Sequence, residues 1–89
     1  MNEEIVKNYE ADYQFFLSEA ARCCIEKDKS EIVVERTMMI GQIVAFKSAA
    51  YIMYFRLGML STGTYSNISS INRQCLIDRE VTKIVKERS

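Results

Sequence analysis

From Ile32 to Leu60 the chain holds no proline, and apolar side chains recur on nearly every side of the helix that this stretch predicts. A helix apolar all round must be covered by several neighbours or lie in a membrane. The chain has 89 residues, a length near the lower limit for a domain that buries its own core without disulfides or metal. What remains outside the central helix is too little to enclose it. Some of its surface is therefore expected to belong to a partner, and oligomerisation is a common supplement at this size.

At 100° per residue the central helix divides into two apolar faces. The wider carries Val33, Val34, Thr37, Ile40, Gly41, Val44, Ala45, Ser48, Tyr51, Ile52 and Phe55. The narrower carries Ile32, Met39, Ile43, Phe46, Ala50 and Leu57, and thin polar seams separate the two: Arg36 and Lys47, then Glu35, Gln42 and Arg56. One face can serve the core while the other meets a second surface. Methionine and aromatic side chains adapt well to partners. That places the expected partner or dimer interface on the narrower face, at Met39, Ile43, Phe46 and Ala50, with Tyr54 beside it. Gly41, Ala45 and Ala49 recur at spacing four, which lets another helix approach closely, although small residues at that spacing also fill ordinary cores.

A first helix is expected to start after Asn2, with Glu3 and Glu4 in its opening turn. Ile5, Val6, Tyr9, Tyr13, Phe16, Leu17, Ala20, Cys23 and Cys24 share one face of it, and charged residues fill the other. Phe15 falls on the polar side; a lone exposed aromatic is ordinary, yet aromatics also anchor interfaces, so it joins the candidate contacts. The segment from Glu26 to Glu31 has no apolar residue and offers two caps, Asp28 with Glu31 or Ser30 alone, which predicts a turn. Gly58 and the run Ser61-Thr62-Gly63-Thr64 predict the second break. A third helix is expected from a cap at Ser66 or Asn67, with Ile68, Ile71, Cys75, Ile77, Val81, Ile84 and Val85 inward. Asn72, Arg73, Arg79, Glu80, Lys83, Lys86 and Glu87 would face out. The fold expected is all-α: one domain over 1–89, three helices packed up-down-up around a doubly apolar central helix, completed by homodimerisation.

Much chemistry is excluded by composition. There is no histidine, so the commonest general base and metal ligand is missing. Adjacent Cys23 and Cys24 with one distant Cys75 have the wrong number and spacing for zinc. They are also no disulfide framework, and buried free thiols in a reducing compartment are expected. The opening Met-Asn-Glu-Glu is the reverse of a basic signal sequence. Lys47 and Arg56 interrupt the central apolar stretch, each costing about 2.5–3.5 kcal/mol near a bilayer centre. The expectation is a cytoplasmic protein that is no enzyme, holds no cofactor or metal and does not enter a membrane.

Charge is balanced overall but unevenly placed. Residues 1–31 hold eight acids against four bases, whereas residues 62–89 hold three acids against five bases. This pattern suits the helix dipoles. Two functional readings follow. The first is a protein–protein interaction module, an adaptor, accessory or inhibitor protein of the small kind that phages and mobile elements encode, with a second copy or a larger protein as partner. The alternative is a helical DNA-binding regulator that uses the turn and third helix over 60–76. Asn72, Arg73, Gln74 and Arg79 would then supply the contacts.

Overall fold

The computed structural model describes residues 2–60 and 69–89. Within them the chain forms three helices, α1 (Asn2–Lys29), α2 (Val33–Leu60) and α3 (Ser70–Arg88). Glu3 and Glu4 occupy the first turn of α1 and Lys27 and Lys29 its last, so both ends oppose the dipole. Asp28 stays inside α1, and Ser30 closes the turn between the helices. Its amide closes on the Glu26 carbonyl at 3.0 Å. Its hydroxyl accepts the Ile32 amide at 3.3 Å and donates to Glu35 Oε2 at 2.9 Å. The Ile32 carbonyl then accepts the Arg36 amide at 3.0 Å, which starts α2. α1 and α2 are thus separate helices.

Gly58 does not end α2, which continues to Leu60. The expected loop at 61–64 and the caps at Ser66 and Asn67 lie outside the described residues. The cap that α3 uses is Ser69, with extended backbone at φ −62° and ψ 158° and a hydroxyl that accepts the Asn72 amide at 3.2 Å.

α1 and α2 form the most extensive contact in the chain. Tyr13 meets Tyr54 with ring centres 5.7 Å apart, and Phe16 stacks on Phe46 at 6.4 Å. Cys23 Sγ–H reaches Gln42 Oε1 at 3.4 Å. Rising numbers on α1 meet falling numbers on α2, so the two lie antiparallel. α3 adds Ile77 and Val81 to a core of Tyr13, Leu17, Ala20, Ala21, Ala50, Tyr54 and Leu57. Its start lies against the later part of α2, where the Arg73 guanidinium is 5.0 Å from the Tyr51 ring centre and 4.9 Å from that of Phe55. Its end lies against α1, where Arg88 donates to the Ser18 hydroxyl and carbonyl.

α3 uses a different face from the one expected at its first turns. Ile71 and Cys75 are exposed and Arg73 is buried. Ile77 and Val81 fix the inward direction, and Arg73 lies one and two helical turns before them. On the same projection Ile71 and Cys75 fall about 100° and 140° from the mean direction of Ile77 and Val81, against about 60° for Arg73. The long Arg73 stem can fill an apolar site while its planar head stacks on rings.

The molecule measures 47 × 25 × 22 Å, with a radius of gyration of 14.2 Å. A compact chain of this length would have about 12 Å. The excess comes from the α1–α2 hairpin. From Glu31 to Gln42 every residue except Met39 is exposed, and the named contacts of α3 with α2 fall later, at Lys47, Tyr51 and Phe55.

Candidate interaction surface

Among the 28 residues of α2 only Ile43, Ala50, Tyr54 and Leu57 are buried. Met39 and Phe46 are half-buried beside them. The narrower face of α2 is therefore the one packed on α1, and the partner contacts expected there at Met39, Ile43, Phe46, Ala50 and Tyr54 are taken up within the chain. Aromatic pairing accompanies this. Phe46 and Tyr54 meet Phe16 and Tyr13 of α1, and aromatic side chains bury about 150–250 Å² each. The aromatics of the wider face, Tyr51 and Phe55, lie instead under Arg73 of α3.

The wider face is left open. Val33 is 75% exposed, Val44 60% and Ile52 47%, and Val34, Met38, Ile40, Phe55 and Met59 are also exposed. Single exposed apolar side chains need no explanation, whereas a continuous stripe of them marks a contact surface. Gly41 deepens the stripe, because no atom lies within 4 Å of where a Cβ would project. Toward α3 the stripe descends into a groove of about 510 Å³ lined by Val44, Lys47, Ser48, Tyr51, Ile52, Gln74, Ile77 and Asp78. Lys47 Nζ and Asp78 Oδ1, 2.9 Å apart, bridge that groove between the two helices.

The electrostatics around the face are simple. Arg56 lies over Tyr9 at 5.9 Å. On α1, Arg22 reaches Glu19 at 2.8 Å and Glu26 at 2.9 Å, and these two carboxylates raise its already high pKa further. Burial raises the pKa of the Cys23 thiol above its ordinary value. Cys24 is half-buried and Cys75 exposed, so the thiols do not share one environment. Among the described residues no cluster of His, Cys, Asp or Glu could hold a metal ion. None of their buried side-chain polar atoms lacks a hydrogen-bond partner either.

Phe15 is exposed and stands edge-on to Phe16, with ring centres 5.6 Å apart. It belongs to α1, apart from the α2 stripe. The four residues expected to contact nucleic acid are not assembled into one surface. Arg73 is buried against Tyr51 and Phe55 and Gln74 lines the groove with α2, while Asn72 and Arg79 are exposed on one side of α3, two turns apart. Sequence reasoning left Met38 and Met59 off both faces of α2, although both are exposed beside the stripe.

By length and composition α2 is also the one helix among the described residues that could cross a membrane, with 22% of its most apolar window buried. The chain matches no family model, no curated protein and no solved structure.

Proposed function

We propose that this chain is a small non-enzymatic interaction module, an adaptor, accessory or inhibitor protein, that acts through the open face of α2. In this reading the three helices form an up-down-up bundle that is completed by a homodimer partner or a larger protein. One observation carries it: the first half of α2, the most apolar of the described helices, is covered along one side only. Water contact at Val33, Val34, Ile40, Val44 and Ile52 is unfavourable by about 25 cal/mol per Å² of apolar area that a partner could cover. No named contact of α1 or α3 falls on Val33, Val34 or Ile40, so intrachain packing does not require that part of the stripe to be apolar.

A membrane fits the same stripe less well. Spanning would strip α2 of α1, separating the Tyr13–Tyr54 and Phe16–Phe46 pairs, and would carry Lys47 and Arg56 into hydrocarbon. A protein surface demands neither. The three free thiols suit a reducing compartment, and cytoplasmic action belongs to the same proposal.

The test is capture of binding proteins from host lysate by the tagged chain, by Val44→Glu and by Phe46→Glu. A protein held by the parent chain and lost with Val44→Glu, whose helicity by circular dichroism is unchanged, supports the reading. Equal capture by Val44→Glu overturns it. Phe46→Glu is expected to reduce helicity, since its site is stacked on Phe16.

A further inference from the structure

We infer that α3 is a releasable cover: it leaves the α1–α2 hairpin as a unit while the hairpin stays folded, and its release bares the later half of α2. The device holds whatever partner the open face takes, so it stands apart from the interaction reading above.

Packing divides the chain into these two units. Among the described residues the α1–α2 contact is the most extensive and the α2–α3 contact the smallest. The Tyr13–Tyr54 and Phe16–Phe46 ring pairs and the Cys23–Gln42 contact all join α1 to α2. Ile43 and Cys23 are buried outside the core cluster that α3 joins, so burial in the hairpin continues where α3 does not reach. To that cluster α3 brings two buried aliphatic side chains, Ile77 and Val81.

The seam between α2 and α3 is incompletely filled. The groove of about 510 Å³ runs along it, and side chains that face open space lose the contacts that a packed neighbour would supply. Polar groups fasten α3 across this seam. The Lys47 and Asp78 side chains that bridge it are 31% and 62% exposed, and exposed ion pairs contribute little. Arg73 stacks on Tyr51 and Phe55, and at the other end of α3 Arg88 meets Ser18 of α1 on the exposed surface. Elements held by few buried apolar side chains are the ones that open below global unfolding.

The two units differ in what they keep after parting. A helix of 19 residues is marginal in water by itself, so α3 off the bundle gives up its backbone hydrogen bonds to exchange. The hairpin retains two helices of 28 residues each with their ring pairs intact. Release lifts the Arg73 guanidinium from Tyr51 and Phe55, and the open stripe that ends near Val44 then runs on to Phe55.

Native-state hydrogen exchange of the whole chain across low urea, read at single amides by NMR, tests the release. The amides of Ile77 and Val81 should exchange at least about tenfold faster than those of Leu17 and Ala50, with a urea dependence that is present but smaller. Ile43→Val places a small defect in the hairpin, outside the cluster that α3 joins. It should speed exchange at Leu17 and Ala50 about threefold to tenfold. Exchange at Ile77 and Val81 should not change, because α3 leaves without disturbing Ile43. Arg73→Ala weakens the seam itself and should speed exchange about tenfold at all four amides, since global opening includes the release of α3. Equal acceleration of all four by Ile43→Val would mean that α3 opens only with the whole chain and would overturn the inference. Exchange at Ile77 and Val81 without urea dependence would overturn it too, because α3 would then fray in place.

Discussion

From Phe46 to Leu57, α2 lies between two neighbours; from Val33 to Val44 it has one. Both stretches are rich in apolar side chains, yet three residues of the later stretch are buried and only Ile43 of the earlier. The difference originates in α3. Arg73 closes on Tyr51 and Phe55, Asp78 on Lys47, and Ile77 and Val81 enter the core, so α3 covers only the later half. The earlier half contributes a well-packed inner side to the α1–α2 contact and leaves its outer side to water. Apolar composition sets what a helix can bury, and its neighbours decide where burial occurs.

The strongest way to break this comparison is to truncate one residue in each half. Leu57 is fully buried, and Leu57→Ala should cost about 2–5 kcal/mol in urea unfolding followed by circular dichroism. Val44→Ala, measured at concentrations where the chain is monomeric, should stay within about 0.5 kcal/mol. Similar costs at the two sites would mean that the halves are packed alike. Arg73 gives the next largest effect. Arg73→Ala removes a guanidinium stacked on two rings and should cost about 1–2 kcal/mol, with Arg73→Lys recovering part of it. A neutral Arg73→Ala would remove the reason given for where α3 crosses.

A smaller effect examines the inner side of the earlier half. Cys23 is buried with its thiol on Gln42, and burial raises its pKa above the ordinary 9.0. Below pH 9.0 both folded and unfolded chains carry the thiol. Above it the unfolded chain ionises first while the folded chain keeps the proton, so stability should fall as pH rises. The slope reaches at most roughly 1.4 kcal/mol per pH unit. Cys23→Ala should flatten that alkaline decline. In the native protein a thiol reagent should label Cys75 quickly and Cys23 only on unfolding, and rapid labelling of Cys23 would show that the inner side is open as well.

The all-helical fold was legible because apolar residues recur every three or four positions and proline is absent. The polar segment Glu26–Glu31 marked the first turn because only polar and charged groups tolerate a solvated reversal, and Ser30 holds it. The use of each face of α2 was not legible. Projection counts positions, which made the wider face look like the core, whereas packing follows the match of Tyr54 and Phe46 with Tyr13 and Phe16 on α1. The inward turn of Arg73 was hidden for a related reason. A charge reads as exposed until Tyr51 and Phe55 are known to lie beneath it, and those rings lie about twenty residues away in sequence. Ala21 escaped notice because an alanine says little about its own side, yet it is fully buried in the core that all three helices share.

The smallest effect tests the open half most cleanly. Val34→Thr keeps the shape and β-branching of the side chain while replacing a methyl by a hydroxyl, and Val34 is 68% exposed. In the monomer the hydroxyl remains hydrated, so unfolding free energy should change by no more than about 0.5 kcal/mol. In an assembly that covers the stripe, the same hydroxyl must give up water for an apolar neighbour, at about 1–3 kcal/mol if it goes unpaired. Association should then weaken about fivefold or more while the unfolding midpoint of the monomer stays fixed. A shift in the monomer midpoint worth more than about 1 kcal/mol would mean that Val34 is already packed within the chain. That result would remove the contrast between the two halves of α2 and the proposed surface with it.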